Sequence, residues 1–252
     1  MENKISVVIN TYNAEDHLRE VVESVKDFDE VLICDMESTD ATVKIAREMG
    51  CKVVTFPKAD HKSAEPARTF AIQSAQYDWV LVVDADELVT PELKDYLYRQ
   101  IELNEYQGFY IPRRNFFMHR FMHSTYPDYQ LRFFIKEGTE WPPYVHTFPK
   151  VNGRLTHLPK TKSLAFIHLA DDSISTRLKK TDQYTDNEVY KKKNRHFGIF
   201  SFLWRPFFRF FQPYIIKGGF RDGLPGFIYA CLEGYYQIVM LAKIKESKCQ
   251  KK

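Results

Sequence analysis

Short apolar runs alternate with amphipathic stretches over the first hundred residues, and the alternation predicts repeated βα units. Ile5-Ser-Val-Val-Ile9 has the β-branched character of a strand, and Thr11-Tyr12-Asn13 reads as the turn after it. Asn13 is placed to cap a helix whose apolar positions Leu18, Val21, Val22 and Val25 recur at helical spacing. Val31-Leu-Ile-Cys34 predicts a second strand closed by Asp35. Ser38-Thr-Asp-Ala-Thr42 then opens a helix that stops at Gly50, and Lys52-Val-Val-Thr-Phe56 predicts a third strand. A helix around Glu65 to Ala75 leads to Val80-Leu-Val-Val83, an unbroken apolar run suited to a parallel strand buried on both faces. The order predicts an α/β fold, mainly a parallel sheet flanked by helices.

That fourth strand ends in Asp84-Ala-Asp86-Glu87. Open α/β sheets bind ligands at the carboxyl ends of their strands, and alternation along an extended segment sets Asp84 and Asp86 on one side. Two carboxylates there repel unless a cation sits between them. Hard oxygen ligands suit Mg²⁺ or Mn²⁺, which takes one or two carboxylates together with phosphate oxygens of a substrate. A nucleotide diphosphate is the natural guest. The competing reading is a solvated turn whose acids favour the N-terminus of the helix begun by Thr90-Pro91. Neither G-x-G-x-x-G nor G-x-x-x-x-G-K-[ST] occurs, so phosphates must be held by metal and side chains.

With 252 residues and 44% hydrophobic content, the chain supports one catalytic domain, residues 1–176, and an appendage, residues 177–252. Cys34, Cys51, Cys231 and Cys249 lack paired spacing, which points away from a disulfide framework or zinc site and fits a reduced, cytosolic setting. Met1-Glu-Asn-Lys4 runs straight into a strand, so no signal peptide is expected. A net charge of +3 conceals an asymmetry: residues 177–252 carry +10 and the rest −7. Phe197 to Phe211 holds seven Phe and one Trp, interrupted by Arg205, Pro206 and Arg209. The run falls short of the ~20 apolar residues of a spanning helix. Basic amphipathic helices lying on an anionic membrane surface fit it better, with packing on the catalytic domain or an oligomer interface as the alternative.

Ser6-Val-Val-Ile-Asn-Thr-Tyr-Asn13, Asp35 with Ser38-Thr-Asp40-Ala-Thr42, Arg68, and Asp84-Ala-Asp86 resemble the inverting glycosyltransferases of family 2, which have a GT-A fold. Tyr126 to Phe133, Trp141 to His146 and His168 to Ile174 are similar to the subgroup that adds sugars to the lipopolysaccharide core, so the resemblance covers nearly the whole chain. One departure is Thr147, where that subgroup has an acid after its V-H pair. The resemblance implies transfer from a nucleotide-diphosphate sugar, UDP-glucose favoured, to a lipid-linked or lipopolysaccharide-core-like acceptor. It also implies nucleotide binding by Thr11, Tyr12, Asn13, Asp35, Arg68 and Asp84, with Asp86 as the principal ligand of Mg²⁺ or Mn²⁺.

The acceptor proton requires a base, and Asp128, Glu87, Glu140 and His146 are candidates. Asp128 is favoured because Tyr126-Pro-Asp-Tyr129 flanks it with rings that can stack on a sugar; a turn-stabilising role is the plain alternative. Gln130 and Arg132 alternate on a strand-like segment and are expected to face the diphosphate, with a surface ion pair as the other reading of Arg132. His146 and His168 are candidate late metal ligands or acceptor contacts. Arg113-Arg114, His119-Arg120 and His123 form a basic loop that reads either as an acceptor lid or as a solvated face; no nucleic-acid-binding module accompanies it. The expected setting is cytoplasmic, at the inner face of a bacterial inner membrane. A nucleotidyltransferase, a phosphatase and a non-catalytic membrane adaptor remain as alternatives. The phosphatase pattern wants Thr or Val where this chain has Leu88.

Overall fold

The computed structural model describes residues 2–61, 63–143, 147–192 and 197–249. The chain forms two compact units, one joining Met1–Arg114 to Pro127–Leu169 and the other joining Asn115–Tyr126 to Ala170–Lys252. His146 lies outside the described residues.

The expected alternation is realised as β1 (Ile5–Thr11), α1 (Glu15–Val25), β2 (Glu30–Asp35), α2 (Thr42–Glu48), β3 (Lys52–Thr55), α3 (Glu65–Gln73) and β4 (Trp79–Asp84). A short β5 (Glu87–Leu88) precedes α4 (Pro91–Leu103). The Thr90 side chain caps α4 by accepting from the Leu93 N–H, and Asn104 in the left-handed region ends it. There follow β6 (Gly108–Ile111), β7 (Arg113–Arg114), the β8 (Phe116–Phe117) and β9 (Arg120–Phe121) hairpin, β10 (Gln130–Ile135), β11 (Leu155–His157) and β12 (Phe166–His168).

The main sheet of the first unit has the order β11-β6-β10-β4-β1-β2-β3. β1 runs parallel to β2 and β4, and β2 parallel to β3, as βα repeats require. β10 lies antiparallel to both β4 and β6, which makes the sheet mixed. Alternate residues feed two cores. Ile5, Val7 and Ile9 pack with Leu18, Val21 and Val22 of α1 and with Leu93 and Leu97 of α4. Val8, Val80 and Val82 pack with Ala67, Ala71 and Ile72 of α3. Each such aliphatic side chain removed from water contributes roughly 1.5–3 kcal/mol, so both faces of the parallel strands are anchored and their carboxyl ends are held in register. A smaller sheet, β5-β12-β7, stands apart from the seven strands.

In the second unit, α5 (Ile174–Lys192), α6 (Ile199–Phe211) and α7 (Gly223–Cys249) follow one another, so the expected boundary at residue 176 falls inside α5. Pro206 of α6 is buried, Phe210 meets Phe227 of α7 edge-on, and Met240, Leu241 and Ile244 form a small core with Phe202. Among the described residues no helix is long and apolar enough to cross a membrane.

Candidate active site at the carboxyl end of the sheet

β4 stops at Asp84, and the chain turns through Ala85 and Asp86 before β5. The turn replaces the extended geometry expected for the two aspartates and sends their carboxylates to different partners. Asp84 accepts from Arg68 Nη2 at 2.8 Å and from Arg132 Nη2 at 2.6 Å. The positive charge expected between the aspartates is thus supplied to Asp84 by guanidiniums. Burial pushes the Asp84 carboxyl up, but Arg132 and Arg68 outweigh it and hold the group well below the usual carboxylate range.

Arg68 is presented by α3 and Arg132 by β10, both buried. Their guanidinium carbons lie 4.5 and 5.2 Å from the centre of the Trp141 ring. Among the described residues, Nε and Nη1 of each arginine are buried without a hydrogen-bond acceptor, and the ring face meets part of that need. Arg132, expected to face a diphosphate, is instead closed onto Asp84 and Trp141, because burial favours neutralisation by the nearest carboxylate. The Asn10 amide also finds no partner among the described residues, and strand register sets Asn10 beside Asp84.

A second group of charges adjoins the first. Glu87 is fully buried; one oxygen accepts from the Asp84 backbone N–H at 3.1 Å and the other from Arg113 Nη1 at 3.1 Å. Burial, then the neighbouring Asp84, pushes the Glu87 carboxyl up. Arg113 also donates to Asp128 Oδ2 from Nε at 2.9 Å and Nη2 at 2.7 Å, and Gln130 Nε2 donates to Asp128 Oδ1 at 2.9 Å. Three arginines and three carboxylates therefore interlock, and Asp128, at 30% exposure against none for Glu87, is the base candidate among them that reaches solvent. Glu140 is exposed, its backbone paired with Lys150. Gln130, expected to face a diphosphate, orients Asp128.

Asp86 points elsewhere. β12 pairs antiparallel with β5, setting His168 opposite Glu87, and the Leu169 N–H donates to the Asp86 carbonyl at 2.7 Å. His168 Nε2 thereby comes within 3.3 Å of Asp86 Oδ2, whose side chain is 36% exposed. Among the described residues no group of three His, Cys, Asp or Glu side chains converges on a metal position. A carboxylate and an imidazole suit a divalent cation that completes its coordination with substrate oxygens and water. The donor set thus fits the expected ion at Asp86, with His168 beside it.

The turns expected to hold the nucleotide are organised by Asp35. Its carboxylate accepts from Thr11 Oγ1 at 2.9 Å, Ser38 N at 2.8 Å and Ser38 Oγ at 2.6 Å, which fixes the turn after β2 against the end of β1. Asn13, in the left-handed region at φ 49°, does not cap α1; its Oδ1 accepts from the Thr39 N–H at 2.8 Å and ties the two turns together. Asp40 accepts from Thr42 N and Glu15 N, at the starts of α2 and α1. Tyr12 is 48% exposed with Lys58 Nζ 4.8 Å from its ring centre, leaving a face on which a base can stack.

Sequence reasoning overlooked Arg113 as the link between Glu87 and Asp128, and Trp141 as the surface beneath Arg68 and Arg132. The available signals were three Trp in the whole chain and an Arg directly after Pro112 at a strand start.

Residues 6–156 match the family described as Glycosyl transferase family 2. An uncharacterized glycosyltransferase of Rickettsia conorii is 27% identical over the full length of this chain and 93% of its own. The lipopolysaccharide core biosynthesis glycosyltransferase LpsC of Rhizobium meliloti is 24% identical over 95% of this chain and 91% of its own. Among solved structures, glucosyl-3-phosphoglycerate synthase from Mycobacterium tuberculosis in complex with UDP is 25% identical over 45% of each chain, with a TM-score of 0.39.

Proposed function

The chain belongs to glycosyl transferase family 2, with the GT-A fold and a nucleotide-sugar donor, and we propose that it inverts the anomeric centre while transferring a hexose, UDP-glucose being the leading donor, to a lipid-linked glycan of the cell envelope. The observation that carries the site reading is the division of labour at the end of β4: Asp84 is neutralised by Arg68 and Arg132, while the more exposed Asp86 faces His168.

In this reading Tyr12 stacks on the base, and the turns held by Asp35 and Asn13 shape the nucleoside pocket. Asp86 and His168 would hold Mg²⁺ or Mn²⁺, which when bound neutralises charge on the departing diphosphate. The acceptor hydroxyl oxygen forms its bond to the anomeric carbon as the bond from that carbon to the diphosphate oxygen breaks on the opposite side. Asp128 takes the hydroxyl proton, oriented by Arg113 and Gln130. Lipopolysaccharide-core-like acceptors are supported by the similarity to the Rhizobium protein over most of both chains.

Protein supplied with Mn²⁺ or Mg²⁺ and offered UDP-, GDP-, CDP- and TDP-sugars should release nucleotide from one donor class. Asp86→Ala should abolish that release with little change in melting temperature. Undiminished turnover by the variant rules out the assignment of Asp86; lipid binding with silence toward every donor favours the adaptor.

A further inference from the structure

α6 and α7 of the second unit frame a cleft of about 320 Å³ lined by Trp204, Arg205, Phe208, Arg209 and Gln237. Its chemistry is unusual for a packing defect. Gln237 is only 7% exposed, yet among the described residues its Nε2 has no hydrogen-bond partner, and neither does the buried Nε of Arg209. A buried donor without an acceptor costs about 1–3 kcal/mol, and this cleft is lined by two residues that each carry one. Arg209 Nη2 meets one carboxylate, Glu233, at 3.3 Å, and Arg205 lies over the Phe197 ring at 4.8 Å and pairs with no carboxylate among the described residues.

The surface around the cleft is apolar and uncovered. Ile199, Phe200, Leu203 and Trp204 are 63–81% exposed and recur along α6 at helical spacing, with Phe207 continuing the stripe. A second copy of this chain is a poor cover, because a self-complementary contact on this face would set Arg205 and its neighbouring cations against themselves. A phospholipid matches both features at once: phosphate oxygens for the exposed Arg205 guanidinium and acyl chains for the stripe, with the Trp ring at the boundary between them.

We propose that this cleft binds the phosphate of an anionic phospholipid headgroup while the free face of α6 lies among the acyl chains. The inference is independent of the transfer reaction, since it involves none of the residues placed at the end of the main sheet.

The test is co-sedimentation of the full chain with vesicles of phosphatidylcholine alone or with phosphatidylglycerol. Phosphatidylglycerol should strengthen binding about tenfold or more. Arg205→Gln with Arg209→Gln should remove that preference while leaving the weak binding to phosphatidylcholine, and Phe200→Ser with Leu203→Ser should abolish both. Arg205→Gln alone, at an exposed position, should lose part of the preference and guards against misfolding of the double variant. Millimolar inorganic phosphate should not displace the vesicles. Displacement by phosphate would make this a soluble-anion site, an unchanged preference in the arginine variants would remove the headgroup from the cleft, and a lipid-free dimer shielding Trp204 would assign the face to a second copy. Any of the three overturns the proposal.

Discussion

Asp84 sits between two guanidiniums that are themselves buried against Trp141, so removing its carboxylate leaves two positive charges with one acceptor fewer in a poorly solvated place. Breaking a buried ion pair from one side costs about 3–5 kcal/mol, and Asp84→Ala should lower the urea unfolding free energy by that order. Asp86→Ala, at a more exposed position, should lower it far less. The same arrangement sets a pH dependence. Because the native Asp84 carboxyl titrates below the ordinary range, its stabilisation is complete above about pH 5 and is lost as the pH falls through about 4 toward the native value. Glu87, pushed up by burial, acts with opposite sign: its contribution is present below the ordinary range and is lost as pH rises through its native value. Asp84→Asn should therefore flatten the acid limb of the stability profile, and a limb as steep as in the unsubstituted protein would contradict this role. The acids themselves were legible in the chain because they end an apolar run. Their partners were not, since Arg132 lies 48 residues beyond Asp84 and only the antiparallel insertion of β10 beside β4 brings it back.

At the scale of elements, hydrophobic periodicity carried the first four strands and three helices, where each segment is long enough to show a period. The pairing that positions His168 had no such signal. β5 and β12 have two and three residues, and their ladder depends on where β4 turns. The helical unit offers a sharper test of packing. A Cβ added at Gly226 of α7 would lie 2.0 Å from the Gly219 carbonyl oxygen, a backbone atom that cannot rotate away. Helix propensity alone favours alanine there by about 1 kcal/mol, whereas overpacking costs roughly 1–3 kcal/mol. Gly226→Ala should therefore destabilise the second unit, read as earlier cleavage of α7 in limited proteolysis. Increased protection would mean that propensity dominates and that this approach is looser than described.

Across the whole molecule, charge and composition change together along the chain. An acidic α/β unit carries the carboxylate and guanidinium network, and a basic, aromatic-rich helical unit carries the exposed face of α6. The charge asymmetry and aromatic density were readable without coordinates, as was the α/β class. The assignment of Asn115–Tyr126 to the second unit was not, because it rests on contacts as distant in sequence as that of His123 with Asp222, at 2.6 Å. The central claim is that Asp86, rather than Asp84, meets the donor diphosphate through a divalent cation. Calorimetric titration of UDP into the protein, with and without Mn²⁺, tests it without depending on the acceptor. Mn²⁺ should strengthen UDP binding in the unsubstituted protein, and Asp86→Ala should lose that enhancement while retaining metal-independent binding. Equal enhancement in Asp86→Ala, or UDP binding indifferent to Mn²⁺ throughout, would contradict the account.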